Sequence, residues 1–364
     1  MKKIFLILFL IIIIISYILF SAPKKYIISS SLPLSGIMKN MGESIKYGTL
    51  AYYNNFNIPN KEKIKFIFKD DKYEPDLMKT NIINFYNNNS FLLYGLTGTP
   101  TVKAVLPFVN EHSIFVFAPF TGAEFLRKNK NVVNFRASYK DEIEHIINYL
   151  LKKHINKISL LYQNDDYGDE IYLHLCDTLK KHKLSLSSVG TYERNTYLID
   201  SALNSISSSK PQAIILGSTA EIAALFIKNY RKIDKNVLFI TISFVNPDKL
   251  ISLIKNKNNI IFSEVVPYYK ANITEAKNYL TSLHKLNPKT EPTFYGFESY
   301  LATKILISAF NHLTFPYTQE HLKKIIKKTP KNIFKDIPIE YKNNQLLNKT
   351  YLYKYKNNVF KEIQ

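Results

Sequence analysis

From Tyr26 onward, apolar runs of strand length alternate with longer stretches of helical period, and this alternation restricts the fold more than any other feature of the chain. Such a rhythm predicts stacked βαβ units around mostly parallel sheets. Tyr26 to Ser30, Ile64 to Phe68, Phe91 to Tyr94 and Ile114 to Phe117 form a first series of four strands. Ile158 to Tyr162, Leu186 to Thr191, Ala213 to Leu216 and Leu238 to Ile242 form a second, with helices near 141–153, 169–181 and 220–232. A further strand, Ile260 to Val266, precedes helices at 276–286 and 297–313. The fold class expected is α/β, with two Rossmann-like lobes. A chain of 364 residues, 46% hydrophobic and 21% charged, can bury that much core.

Ahead of this pattern, Ile4 to Phe20 run for seventeen residues interrupted only by Ser16 and Tyr17, behind the positive start Met1-Lys2-Lys3. This is an export element, either a signal peptide or an N-terminal membrane anchor over residues 1-25. No A-x-A-like site is present, and Phe20 and Pro23 disfavour cleavage after Ala22, which favours the uncleaved anchor. A hydrocarbon core of ~30 Å needs about 20 helical residues, a length reached with Ser21 and Ala22. Lipoprotein attachment is excluded because no cysteine stands just after the apolar run.

The formal net charge of +20 does not read as a nucleic-acid footprint, because pairs such as Lys152-Lys153, Lys180-Lys181 and Lys327-Lys328 are dispersed between apolar runs. Cys176, the one cysteine, stands in the helical pattern of Ile171, Leu175 and Leu179, where a buried inert thiol is expected. The acids Asp70, Asp71, Glu74 and Asp76 lack the spacing and central glycine of a calcium loop and read as a surface turn. Those around Asp165 and Asp169 suit a helix start. The eight histidines are scattered. No nucleophile elbow, phosphate loop or dinucleotide fingerprint occurs, so nothing indicates an enzyme, a metal or a cofactor.

In open α/β sheets ligands lie outside the carboxyl ends of the strands. Three successive loops there carry glycines and hydroxyls ahead of helix starts: Ser31 to Gly42 with Ser35 and Gly36, Gly95 to Thr101 with Thr97, Gly98 and Thr99, and Ala118 to Glu124 with Phe120, Thr121 and Gly122. Each alone is a common helix cap. Together they offer the hydroxyl and amide donors that a carboxylate requires.

Seven stretches in order complete the pattern: Leu32-Pro-Leu-Ser35-Gly36 with Gly42, Asp70-Asp71-Lys-Tyr-Glu-Pro75, Gly95-Leu-Thr-Gly98-Thr99, Pro119-Phe-Thr-Gly122-Ala, Arg136-Ala-Ser-Tyr139, Tyr162-Gln-Asn-Asp-Asp166-Tyr167-Gly168 and Gly296-Phe-Glu-Ser-Tyr300-Leu-Ala302. On these residues the chain resembles the type I periplasmic binding proteins, and among them the branched-chain amino acid and amide-binding substrate-binding proteins of ABC transporters. The resemblance implies parallel central sheets joined by a hinge, with residues 26-138 plus 264-337 in the N-terminal lobe and 139-263 plus 338-364 in the C-terminal lobe. It implies that Thr99 takes a substrate carboxylate, with Phe120, Thr121 and Gly122 beside it, that Tyr167 reaches across from the second lobe, and that Met41 stands where an aromatic lid is common.

Two departures bear on the ligand. Where amino-acid binders of the family place an acid against the ammonium, this chain has Ser243-Phe244, and where an aromatic is frequent it has Ser218-Thr219. Burying an ammonium without a carboxylate is costly, so a carboxylate, amide or other polar solute is expected rather than a zwitterion. The resemblance implies a solute receptor for an ABC permease, held at the periplasm or the outer face of the cytoplasmic membrane. A membrane-anchored envelope sensor or partner-binding module with a modified cleft is the alternative. The apolar segment sits where the DNA-reading domain of a related repressor would be, which argues against a DNA-binding regulator.

Overall fold

The computed structural model describes residues 26–55, 64–313 and 318–364. The chain opens with β1 (Tyr26–Leu32), α1 (Lys39–Asn55), β2 (Ile64–Asp70), α2 (Pro75–Asn87), β3 (Leu92–Tyr94), α3 (Thr99–Glu111), β4 (Val116–Phe117) and β5 (Val132–Val133). These strands form a five-stranded parallel sheet in the order β2-β1-β3-β4-β5. The order reverses at β1, so the crevice between β1 and β3 is the place for a ligand on this lobe.

The second lobe begins at α4 (Tyr139–Lys152) and continues through β6 (Ile158–Gln163), α5 (Asp166–Lys181), β7 (Ser188–Tyr192), α6 (Asp200–Ser208), β8 (Ala213–Gly217), α7 (Ala220–Tyr230), β9 (Leu238–Thr241), α8 (Pro247–Leu253) and β10 (Ile260–Glu264). The chain then supplies α9 (Thr274–Leu286), α10 (Phe294–Asn311) and α11 (Gln319–Lys327); α9 and α10 both pack on α1. It ends with the hairpin β11 (Tyr351–Lys356) and β12 (Val359–Ile363), whose strands extend the second sheet to seven in the order β12-β11-β10-β9-β8-β6-β7. Here the reversal falls at β6, so the two crevices face each other across the cleft.

Each lobe carries more strands than the four expected per series. The two-residue β5 is too short to give a periodic signal. The terminal hairpin is antiparallel, its turn formed by Asn357 and Asn358 at φ 53° and 59°, a left-handed pair that asparagine tolerates. Cys176 is half-buried rather than buried, because it stands beside the inward stripe of Ile171, Leu175 and Leu179. Asp71 is not on a surface turn; it is fully buried, with Oδ2 accepting the Ser31 hydroxyl at 2.8 Å and Oδ1 the Tyr73 amide at 2.9 Å. Among the described residues no helix is long and apolar enough to cross a membrane, and the apolar segment over residues 4-22 lies outside them.

Local sequence explains the helix starts that shape the cleft. Ser138 accepts the Asp141 amide while the Asp141 carboxylate accepts the Ser138 amide, a reciprocal cap that starts α4. Asp165 caps α5 by accepting the Tyr167 amide at 2.9 Å. Helix α10 is apolar nearly all round and is buried along its length. It meets α1 at two glycines: a Cβ on Gly48 would lie 2.1 Å from the Gly296 carbonyl oxygen.

Because that contact is with backbone, no side-chain rotation relieves it. Gly48→Ala is expected to lower stability by about 3 kcal/mol, read as a lower urea midpoint. An unchanged midpoint would mean that α1 and α10 pack at another distance.

Candidate functional site

The loops at the facing strand ends bring an aromatic and hydroxyl cluster together. Gly98 caps α3 at φ 95°, a left-handed conformation, and a Cβ there would lie 2.3 Å from the Tyr73 ring; glycine is needed on both counts. The cap delivers Thr99, whose hydroxyl pairs with that of Thr121 at 2.7 Å, both residues fully buried. Thr121 is placed by the crossing of Thr97 and Phe120 in an isolated parallel bridge. From the second lobe come Tyr139 and Tyr167, their rings 5.5 Å apart and edge to face. The Tyr139 amide donates to the Gly122 carbonyl at 2.9 Å, and its hydroxyl lies near the two threonines without a well-aligned bond. The hydroxyls of Tyr139 and Tyr167 are both buried and unpartnered. Burial holds both phenols above their ordinary pKa, so they are neutral donors at physiological pH.

Phe244 closes this group, its ring 4.6 Å from that of Tyr167 and 5.9 Å from that of Tyr73. The Tyr295 hydroxyl of α10 crosses the cleft to the Phe244 carbonyl at 2.6 Å. An opening of about 10 Å³ remains at Met41, Phe244 and Tyr295, room for about one water.

Tyr73 is the hub of the contacts between lobes. Lys72 and Tyr73 both have left-handed backbones, at φ 54° and 64°, a conformation costly for such residues. The carboxylates of Asp70 and Asp71 hold them there by accepting their amides, each at 2.9 Å. The Tyr73 hydroxyl accepts the Gln163 amide at 3.1 Å, and Gln163 in turn accepts the Tyr192 hydroxyl at 3.2 Å. The Tyr73 carbonyl accepts Arg194 at 2.6 Å, and Arg194 pairs with Glu74 at 2.9 Å. At the other rim Lys103 pairs with Asp166, and the Glu124 amide donates to Glu170 at 2.8 Å.

Behind the aromatic group lies a buried ionic cluster. Arg136 is wholly buried; its Nη2 donates to the Ser243 hydroxyl at 2.7 Å and its Nε lies 3.3 Å from Glu298 of α10. Glu142 of α4, also wholly buried, accepts the Ser243 hydroxyl at 2.6 Å, the Ser243 amide at 2.9 Å and the Ser263 hydroxyl at 2.7 Å. Burial pushes Glu142 and Glu298 up, Glu298 to about 7, while Arg136 pulls both back. Glu264 is pushed well above the carboxylate range, first by burial and then by Glu142.

The structure thus gathers Thr97, Gly98, Thr99, Phe120, Thr121, Gly122, Tyr167, Ser243 and Phe244 at the cleft, with Met41 at its rim. It turns Ser35 elsewhere: the Ser35 amide and hydroxyl both bind Asp70, at 3.2 and 2.5 Å. Ser218 donates to the Thr219 carbonyl at 3.1 Å. Ser243 does not give the second lobe a free hydroxyl, since Glu142 and Arg136 use it. Sequence reasoning missed Tyr73, Arg136 and Tyr139 although their motifs were in view, because their roles depend on strained backbone and on partners far along the chain.

Two α/β lobes closing on a cleft at the carboxyl ends of parallel strands define a two-domain solute-binding protein. Residues 28–359 match the family model described as periplasmic binding protein, and the chain belongs to that family, with the fold of ABC-transporter substrate-binding proteins. A possible leucine/isoleucine/valine-binding protein of Rhodopirellula baltica is similar at TM-score 0.88 and 25% identity, over 94% of this chain and 97% of that one. A substrate-binding periplasmic protein of Ralstonia solanacearum gives TM-score 0.85 at 23% identity, over 93% of this chain and 100% of that one. A solute-binding protein of R. palustris in complex with benzoate gives 0.80 at 15%, over 93% and 95%. No curated protein matches the sequence.

The buried glutamates make stability depend on pH. Glu298 titrates at about 7 in the fold against an ordinary 4.5, so the native state binds the proton more tightly than the unfolded chain. Its contribution is complete at acid pH and is lost as pH rises towards 7. The stability of the wild type relative to Glu298→Gln is expected to fall by up to about 3 kcal/mol across that window and to stay level above it. Urea titrations at several pH values check the sign; a difference that grew with pH would refute the assignment.

Proposed function

We propose that this chain captures a small polar solute between its lobes and presents the closed form to an ABC-type permease, working outside the cytoplasmic membrane after export or anchoring through residues 4-22. The observation that carries this reading is the pair of buried, unpartnered hydroxyls of Tyr139 and Tyr167 beside the Thr99–Thr121 pair. With one threonine hydroxyl donating to the other, three hydroxyl protons from two lobes remain to donate to one carboxylate or amide oxygen group, and a buried donor without an acceptor carries a cost that such a ligand removes. The rings of Tyr73, Phe120 and Phe244 suit an apolar body behind that polar end. Glu142, already bonded to Ser243 and Ser263 and beside Arg136, does not present a free carboxylate at the Ser243 position, which favours a simple carboxylate or amide over a zwitterion there.

The second reading, an anchored envelope sensor or partner-binding module with a degenerate cleft, is favoured by Phe244, which fills the space between Tyr73 and Tyr167. A metabolite panel separates the two. The purified chain is expected to melt at higher temperature with a small carboxylate or amide, and Thr99→Ala and Tyr167→Ala to weaken that shift. If no small polar solute moves the melting temperature at millimolar concentration, the sensor reading gains.

Arg194 offers an independent check, because it stabilises closure without lining the inner cleft. Arg194→Ala is expected to weaken ligand binding by about tenfold, the free energy of one charged hydrogen bond, chiefly as faster release in stopped-flow measurements. Unchanged release would dissociate Arg194 from closure.

A further inference from the structure

Strands β6 to β10 of the second sheet run parallel, so the turns that lead into them all lie at the outer end of that lobe, opposite the cleft. These turns and the helix ends before them cover residues 152–157, 180–187, 208–212, 231–237 and 254–259, and the hairpin turn 356–359 joins them. Together they hold thirteen lysines and arginines and one acid, Asp234. Pairs such as Lys152-Lys153 and Lys180-Lys181, dispersed along the chain, are thus gathered on one face about 30 Å wide, the span of seven strands. In the first lobe, the described turns before β3, β4 and β5 expose only Lys128 and Lys130. We propose that this basic face of the second lobe docks on the anionic headgroups of a lipid bilayer.

The turns form one continuous surface. Gln212 Oε1 accepts the amides of Asn156 and Lys157, each at 3.0 Å, Arg231 donates to the carbonyls of Asn256 and Asn258, and Lys257 lies 5.0 Å from the centre of the Tyr355 ring in the hairpin. Lysines in the last turn of a helix answer its dipole, which accounts for Lys152, Lys180 and Lys181. It does not account for Lys157, Lys183, Lys210, Lys235 and Lys255, which stand beyond the helix ends and are exposed. Apart from Lys181, paired with Glu144, none of the thirteen forms an ion pair among the described residues. Like charges gathered in this way repel one another, and an anionic surface relieves that repulsion. Two apolar side chains give the class of partner: Ile233, 57% exposed, and Val359, 38% exposed, project from the same turns. Apolar tips among cations suit the boundary between headgroups and acyl chains. A nucleic acid backbone has no use for them, and Lys257 covers the Tyr355 ring on which a base could stack. Tyr26 opens β1 at the outer end of the first lobe, so the N-terminal segment and this face lie at opposite ends of the molecule. The face therefore binds lipid without help from residues 4-22, and whether or not the cleft holds a solute.

Flotation of the full chain tests the proposal. The chain is first reconstituted into phosphatidylcholine nanodiscs, which give residues 4-22 neutral lipid, and the discs are mixed with vesicles of phosphatidylcholine alone or with added phosphatidylglycerol. The chain is expected to float with the phosphatidylglycerol vesicles only, and to be released when salt rises from about 0.1 M to about 1 M, where screening shortens to ~3 Å. Lys235→Glu combined with Lys255→Glu is expected to weaken binding about tenfold or more, and Ile233→Ser to weaken it several-fold. Lys65→Glu combined with Lys324→Glu changes the net charge equally on the first lobe and is expected to leave binding unchanged. If the chain does not enter the discs, the anchoring reading fails on its own, and the free chain is floated in the same way. The proposal is overturned if phosphatidylglycerol vesicles carry no more chain than phosphatidylcholine vesicles, or if the first-lobe pair weakens binding as much as the second-lobe pair. It is equally overturned if a DNA duplex displaces the vesicles and binds the Ile233→Ser chain undiminished.

Discussion

The burial of Arg136 is the constraint around which the two lobes are arranged. A guanidinium removed from water costs several kcal/mol unless its surroundings return the interaction, and here they do so from several elements at once. Glu298 comes from α10, packed on the first lobe, and Ser243 follows β9 in the second, with Glu142 of α4 behind it. Burial works against the charge, yet Glu298, Tyr139 and Glu142 outweigh it and hold Arg136 protonated. The cluster therefore works as a unit: removing any one member leaves a buried charge with too few partners.

Its position also separates two kinds of contact between the lobes. Arg136 follows β5 and Glu264 ends β10, so the cluster sits where the chain crosses from one lobe to the other and where a rotation moves atoms least. The bonds of Tyr73 with Gln163 and Arg194, and of Lys103 with Asp166, lie farther from those crossings. Opening breaks the second kind and can spare the first. For the hinge closure that the proposed function requires, this placement makes the ionic cluster the pivot and the rim bonds the contacts that break and re-form.

How much of this could be read from the residues varied with range. The parallel sheets, the helix starts and the convergence of Thr99 and Thr121 follow from local pattern, because periodicity and caps act within a few residues. The hairpin at Asn357-Asn358 was missed, although paired asparagines between alternating runs are a turn with a mechanism. Tyr73 was not: its direction depends on left-handed backbone at Lys72 and Tyr73, held by two carboxylates. Ser243-Phe244 carries no acid of its own, whereas Glu142 reaches Ser243 from a hundred and one residues away. A local reading finds the hydroxyl and misses the carboxylate that occupies it.

That occupation decides how Phe244 can behave. On one side Ser243 is held through its amide and hydroxyl by Glu142; on the other, Asn246 accepts the Lys249 amide at 3.1 Å and fixes the start of α8. The Tyr295 hydroxyl grips the Phe244 carbonyl from the opposite lobe. With the backbone fixed on both flanks, a rotamer change would drive the ring into Tyr73 or Tyr167, its immediate neighbours. Space in the inner cleft is thus made by separating the lobes, which breaks the Tyr295 contact and withdraws Tyr73 from Phe244. The aromatic plug and the wall it presses against belong to different lobes, so the proposed solute exchange requires those lobes to separate.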